Sequence, residues 1–168
     1  ALVRAAGITV GTGFLSTGML LPTLAEHGHR ELAYDLLLQP NEPGWMSMID
    51  RGATTVWERW NGVDEHNNPH ESLNHYSKGA VVSFLHRYTA GLTSTSPGYR
   101  TFEVRPRPGG GLNRVSQRLD TRHGRIDIEW RHTGSDFELD VAVPAGTEAT
   151  VELPTGERFI AGAGWHTV

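Results

Sequence analysis

The sequence predicts an α+β chain in which helices come first and strands follow: a helical segment over residues 1–92 and an antiparallel β-sandwich or meander over 93–168. Three observations predict it. Apolar residues recur at helical spacing between 14 and 39 and again between 73 and 89. After about Leu92 the apolar period shortens to two. Between the two regimes lies the Ser/Thr/Pro/Gly-rich stretch 93–99, suited to a boundary.

The first helix is expected over 14–27, carried by Phe14, Leu15, Met19, Leu20, Leu21 and Leu24, with Pro22 as a kink and Gly28 as the stop. The second runs over 29–39 with Leu32, Ala33, Leu36 and Leu37 on one face, and Pro40-Asn41-Glu42-Pro43-Gly44 ends it. The tight connection makes these two an antiparallel hairpin. A third helix is expected from about Leu73 to Thr89, with Tyr76, Ala80, Val81, Phe84, Leu85 and Tyr88 as its apolar face. In the second half, Phe102 and Val104 alternate, as do Ile126, Ile128 and Trp130, then Phe137 to Val143, then Ala149, Val151 and Leu153. Turn signals separate these runs, which predicts about six short strands.

Three helices with such wide apolar faces cannot cover one another. The helical segment is therefore expected to be part of a larger helical array, or to pair with another chain. The start Ala1-Leu2-Val3-Arg4 has neither an initiator Met nor a signal-peptide pattern, which also suggests a chain beginning inside a longer protein; cytoplasmic and secreted locations both stay open. A net charge of -4 with no basic block argues against nucleic acid as a partner, and no apolar run is long enough to span a bilayer. The absence of Cys removes disulfides, thiolate metal sites and thiol nucleophiles.

The chemistry concentrates in the connection 40–74. Connections this long with little regular structure are uncommon unless functional. It holds Trp45, Trp57 and Trp60, together with Asp50, Glu58, Asp64, Glu65 and Glu71. In Gly52-Ala53-Thr54-Thr55-Val56-Trp57-Glu58-Arg59-Trp60 one carboxylate stands between two indoles. Indoles stack on sugar rings, and a carboxylate takes a proton from water or binds hydroxyls. A surface Glu–Arg segment anchored by two Trp would read the same way. Thr54-Thr55-Val56 favours an extended conformation, which would put Glu58 and Trp60 on one face.

Other chemistries fit less well. His70-Glu71 and His75 have the wrong spacing for a zinc-protease helix, and Pro69 precludes a regular helix through His66 and His70, so no metal site is expected. Asp64-Glu65-His66-Asn67-Asn68 is rich in oxygen donors, but turn chemistry explains these residues as well as calcium does. His75 reads either as a site hydrogen-bonding group or as a helix-start residue making a local bond. There is no Gly-x-Ser-x-Gly elbow, and Gly109-Gly110-Gly111 lacks the Lys and helix of a phosphate loop.

The collinear series Thr12-Gly13-Phe14, Leu21-Pro22-Thr23-Leu24-Ala25-Glu26-His27-Gly28, Ala33-Tyr34-Asp35-Leu36-Leu37-Leu38-Gln39, Gly52–Trp60, Leu73-Asn74-His75-Tyr76 and Gly79-Ala80-Val81 resembles the bacterial α-L-rhamnosidases of glycoside hydrolase family 78. Arg105-Pro106-Arg107-Pro108-Gly109-Gly110-Gly111-Leu112, Gly124-Arg125-Ile126 and Val143-Pro144-Ala145 continue the likeness. The resemblance implies the end of an (α/α)6 toroid, accounting for the uncovered helix faces, followed by a jelly-roll-like β-sandwich. It implies inverting hydrolysis of terminal α-L-rhamnosides, with a carboxylic acid protonating the leaving oxygen and a carboxylate activating water. Glu58 matches the general base, His75 a sugar-binding residue, and Trp57 or Trp60 the apolar wall; Trp45 is a further binding candidate. The family's general acid lies in an upstream acidic segment with no counterpart in this chain, so the fragment alone is expected to be inactive. The implied partners are rhamnose-containing glycosides and the remainder of the catalytic domain, with no cofactor.

Two other readings remain. One is a different helical-toroid glycosidase, and the other a non-catalytic carbohydrate-binding or scaffolding module. The second would place sugar contacts at Trp130, Trp165 or Phe159.

Overall fold

A computed structural model describes residues 9–168; the reading of Ala1–Arg4 lies outside them. The described residues form two compact units, the first ending at Phe84 and the second running from Leu85 to Val168.

In the first unit, α1 spans Phe14–Glu26, α2 Arg30–Leu38, α3 Trp45–Asp50, α4 Tyr76–Gly79 and α5 Val81–Phe84. Pro22 lies within α1, where it removes one donor from the ladder. The Thr17 hydroxyl donates to the Gly13 carbonyl at 2.8 Å in the first turn. Gly18 permits a close crossing: a Cβ placed there would lie 2.8 Å from Ala80 Cβ. α2 buries Ala33, Tyr34, Leu36 and Leu37, and the Tyr34 ring meets Phe84 edge-on at 5.5 Å.

Two expectations change here. The third helix begins at Tyr76 rather than Leu73 and is divided, its last part being a π-helical turn over Leu85–Thr89. Tyr76, expected on the apolar face, is 69% exposed, while Lys78 is 5% exposed. Splitting the helix moves its buried face away from the single 3.6-residue stripe that the sequence suggests.

The uncovered faces are present as expected. Leu15, Met19, Ile49 and Val82 are 87%, 60%, 60% and 59% exposed. Among the described residues, no helix is long and apolar enough to cross a membrane.

The second unit is a β-sandwich of eight strands: β1 Leu92–Ser94, β2 Thr101–Val104, β3 Arg114–Thr121, β4 Gly124–Thr133, β5 Asp136–Val143, β6 Glu148–Glu152, β7 Arg158–Ala161 and β8 Gly164–Thr167. One sheet runs β1-β2-β6-β7 and the other β3-β4-β5-β8. All pairings are antiparallel except β2 with β6, where Phe102 faces Ala149 and Val104 faces Val151.

Strand alternation turns one face of each sheet inward. Leu92, Phe102, Val104, Ile126, Ile128, Trp130, Leu139, Val141, Val143, Ala149, Val151 and Ala161 make one core. Trp130 is fully buried, and its indole N–H donates to the Thr89 carbonyl at 2.8 Å. Outward residues pair across strands, as in Arg118 to Asp127 at 3.1 Å and Arg114 to Glu129 at 3.1 Å. The strands number eight rather than about six. β1 and β8 are short, and β3 (RVSQRLDT) is mostly polar with little apolar alternation to reveal it.

Candidate active site

The connection 40–74 is more ordered than a free loop. α3 occupies its start, and 56–75 doubles back on itself. His75 N–H donates to the Val56 carbonyl at 2.9 Å, Glu58 N–H to Ser72 at 2.8 Å, and His70 N–H to Gly62 at 2.7 Å; Val63 and Pro69 form an isolated bridge. At the tip, Asp64 Oδ1 accepts from the backbone N–H groups of His66 and Asn68, both at 2.8 Å. The side-chain hydrogen bond from Asn68, assisted by the backbone bonds, holds the Asp64 carboxyl below its ordinary range. These bonds build a turn around Asp64. No cluster of three metal-ligating side chains occurs among the described residues.

The stretch 53–60 is a series of bends rather than a strand. Its pairing with 72–75 is interrupted, and Glu71 adopts φ 61°, which breaks an extended ladder. Two-residue alternation therefore does not decide which side chains share a face.

Trp57 is 4% exposed. It packs with Met48 and Val63, and Trp60 lies against the same cluster. Its ring sits over Gly62, where an added Cβ would lie 2.7 Å from the indole. The Arg51 guanidinium covers it at 5.9 Å. Trp45 is 6% exposed and donates its indole N–H to the Lys78 carbonyl at 2.9 Å. Trp60 is half-buried, meeting Trp45 edge-on at 5.2 Å. Of the three indoles, Trp60 therefore keeps the most free surface.

Glu58 is half-buried and tied down at three points. Its N–H donates to Ser72, its Oε2 accepts from Ser72 N–H at 3.2 Å, and its backbone carbonyl accepts from Lys78 Nζ. One carboxylate oxygen is thus anchored by a backbone donor, which fixes the side chain's direction. The Lys78 ammonium also lies 4.8 Å from the Trp60 ring centre and 5.3 Å from that of Phe14. Burial pushes the Lys78 ammonium below the ordinary lysine range, while Glu58 acts in the opposite direction.

His75 caps α4: Ser77 N–H donates to its Nδ1 at 3.2 Å. The ring stacks on Tyr76 at 4.8 Å and lies 5.0 Å from Phe14. The capping bond makes Nδ1 the acceptor and leaves Nε2 for another partner. Both sequence readings of His75 are therefore compatible, since one nitrogen serves the helix and the other stays available.

The other carboxylates are engaged differently. Glu71 pairs with Arg59 at 3.4 Å, both flanking an open polar depression completed by Asn61 and His70. Asp64 builds its turn, and Asp50 is exposed at the end of α3. Lys78 and Ser72 escaped the sequence reading. The one available signal was a Lys within the expected apolar third helix. In the second unit, Trp165 is 63% exposed, while Trp130 is buried and Phe159 packs against the core.

A helical unit holding an anchored carboxylate is thus followed by a β-sandwich unit. Residues 1–89 match the bacterial alpha-L-rhamnosidase 6 hairpin glycosidase domain, and residues 91–164 match the bacterial alpha-L-rhamnosidase C-terminal domain. The chain belongs to the bacterial α-L-rhamnosidase family.

An α-L-rhamnosidase of Streptomyces avermitilis is 37% identical over 158 residues, covering 92% of this chain and 15% of the relative. The crystal structure of a native α-L-rhamnosidase from Aspergillus terreus superposes with a TM-score of 0.92 at 34% identity, covering 99% of this chain and 20% of that one. The Streptomyces avermitilis α-L-rhamnosidase complexed with L-rhamnose gives 0.90 at 33% identity, with 99% and 18% covered. The chain thus spans about a fifth or less of the relatives it matches.

Proposed function

We propose that this chain is the C-terminal portion of an α-L-rhamnosidase and carries the water-activating half of its active site. Residues 1–92 would complete the helical catalytic domain, and 93–168 would form the accessory sandwich. Glu58 is the general base. It takes a proton from the water that attacks the anomeric carbon, while an acid supplied by the rest of the longer protein protonates the leaving oxygen. Displacement from the opposite face inverts the anomeric configuration and calls for carboxyls roughly 6.5–9.5 Å apart.

The observation that carries this reading is the anchoring of Glu58. One carboxylate oxygen accepts from Ser72 N–H, which orients the other without neutralising it. Trp60 supplies an aromatic face beside it, suited to the apolar side of a deoxysugar, and His75 Nε2 supplies a hydrogen-bonding group. Trp57 and Trp45 serve from beneath, holding Gly62 and Lys78 in place. Glu71 and Asp64 are committed to Arg59 and to the turn, which favours an acid from outside this chain.

The test has two arms. The full-length protein should hydrolyse an aryl α-L-rhamnoside and release rhamnose that appears first as the β-anomer by proton NMR, whereas residues 1–168 alone should give no turnover. First appearance of the α-anomer would remove the inverting mechanism. Turnover by purified residues 1–168, free of host enzyme, would remove the need for an external acid.

A further inference from the structure

Lys78 is the residue of this unit that the proposed chemistry leaves unused and that ordinary packing does not explain. Lysines are almost never fully buried without a partner, yet Lys78 is 5% exposed. Its ammonium is held by the Glu58 backbone carbonyl and by the faces of Trp60 and Phe14. Its own carbonyl is fixed by the Trp45 indole at 2.9 Å. One side chain thus joins the residue bearing the candidate base, the candidate stacking indole, the start of α1 and the turn that His75 caps.

We propose that Lys78 is a positioning residue for Glu58: its buried ammonium, seated between the Trp60 and Phe14 rings, fixes the backbone from which the carboxylate projects. This rests on the reading of Glu58 as the base. An uncharged donor could keep the bond to the Glu58 carbonyl but would lose the cation–ring contacts with Trp60 and Phe14. The charged groups acting on Lys78 are Glu58 and Arg59. Arg59 is engaged by Glu71, and the α1 side contributes the uncharged Phe14 ring.

The experiment uses the full-length enzyme with Lys78→Met, which keeps the length and removes the charge, and Lys78→Arg, which keeps the charge. With Lys78→Met, kcat on an aryl α-L-rhamnoside should fall about tenfold or more, with KM changed less than about threefold. Lys78→Arg, which keeps a cation against the two rings, should restore kcat to within about threefold of wild type. If Lys78→Met fails to fold, Lys78→Gln, which can still donate to the Glu58 carbonyl, carries the same test. A lower melting temperature with kcat within about threefold of wild type would make Lys78 a structural tie and overturn the proposal. Glu58→Gln serves as the control. An active Glu58→Gln enzyme removes the base reading itself, whereas an inactive one alongside near-wild-type kcat in Lys78→Met removes only the role of Lys78.

Discussion

The two units solve burial in opposite ways. The sandwich encloses twelve apolar residues in one core, each at most 4% exposed. The helical unit leaves Leu15 87% and Met19 60% exposed, and it spends buried volume on a lysine and on two indoles, Trp45 and Trp57, of an irregular connection. The unit that is complete in itself carries no grouped chemistry, and the unit carrying the candidate site is incomplete. A toroid builds its site where the ends of many hairpins converge, so no few hairpins can be both self-sufficient and catalytic. A sandwich needs only its two sheets.

Substitutions in the two cores sharpen that contrast. Trp130→Ala should have the largest effect on stability, about 3–5 kcal/mol, because it empties the centre of the sandwich and removes the indole hydrogen bond to the Thr89 carbonyl. Chemical denaturation followed by circular dichroism measures it. Trp57→Ala should cost about 3 kcal/mol or less, since its cluster is small and borders solvent. A larger loss at Trp57 than at Trp130 would reverse the comparison. Gly18→Ala should cost about 1–3 kcal/mol through overpacking against Ala80.

The sandwich carries a pH dependence of its own. His86 lies between Tyr99, whose hydroxyl is 3.2 Å from Nε2, and Gln117, whose amide nitrogen is 2.7 Å from Nδ1. Desolvation, aided by Arg87, lowers its affinity for a proton below the ordinary value of 6.5. The unfolded chain then binds the proton more readily than the folded one, so stability is full above about pH 6.5 and declines as pH falls below it. A pH series of denaturation midpoints should show this slope, and His86→Gln should flatten it.

The smallest effect separates the isolated chain from the longer protein. Leu15→Ser should change the stability of residues 1–168 by less than about 0.5 kcal/mol, as expected at an exposed position. In the full-length protein the same change should cost about 1.5–3 kcal/mol, because other helices would cover that face. Equal small effects in both contexts would mean that the face stays open to solvent.

Legibility in the sequence followed the same divide. Period-two alternation at Ile126, Ile128 and Trp130 disclosed strands and their inward faces together, because a sheet's side-chain period is fixed by backbone geometry. It could not disclose β3, where Val115 and Leu119 are the two apolar residues among eight, or the parallel β2–β6 pairing, which depends on non-local contacts. The hairpin of α1 and α2 was readable from its stripes and from the stop at Gly28. The excess apolar surface was readable too, as more Leu and Met than three helices can bury.

In the connection the local rules failed for identifiable reasons. Thr54-Thr55-Val56 favoured an extended strand, but the partner side turns away at Glu71, so the ladder breaks after isolated bonds. Glu58, Trp57 and Trp60 were visible as an unusual cluster of residue types, and His75 as a residue at a helix start. The burial of Trp57 and Trp45 was not visible, nor was the approach of Lys78 to the Glu58 carbonyl from twenty residues away. Those facts belong to tertiary packing, which single-residue patterns do not encode.

The central claim is that the carboxylate of Glu58 activates water. The direct test is kcat of the full-length enzyme on an aryl α-L-rhamnoside, wild type against Glu58→Gln, which keeps the size and removes the base. A fall of about a hundredfold or more, with KM changed by less than about threefold, is the expected result. A rate within about threefold of wild type would contradict the account and leave Glu58 as a residue that merely fixes the loop.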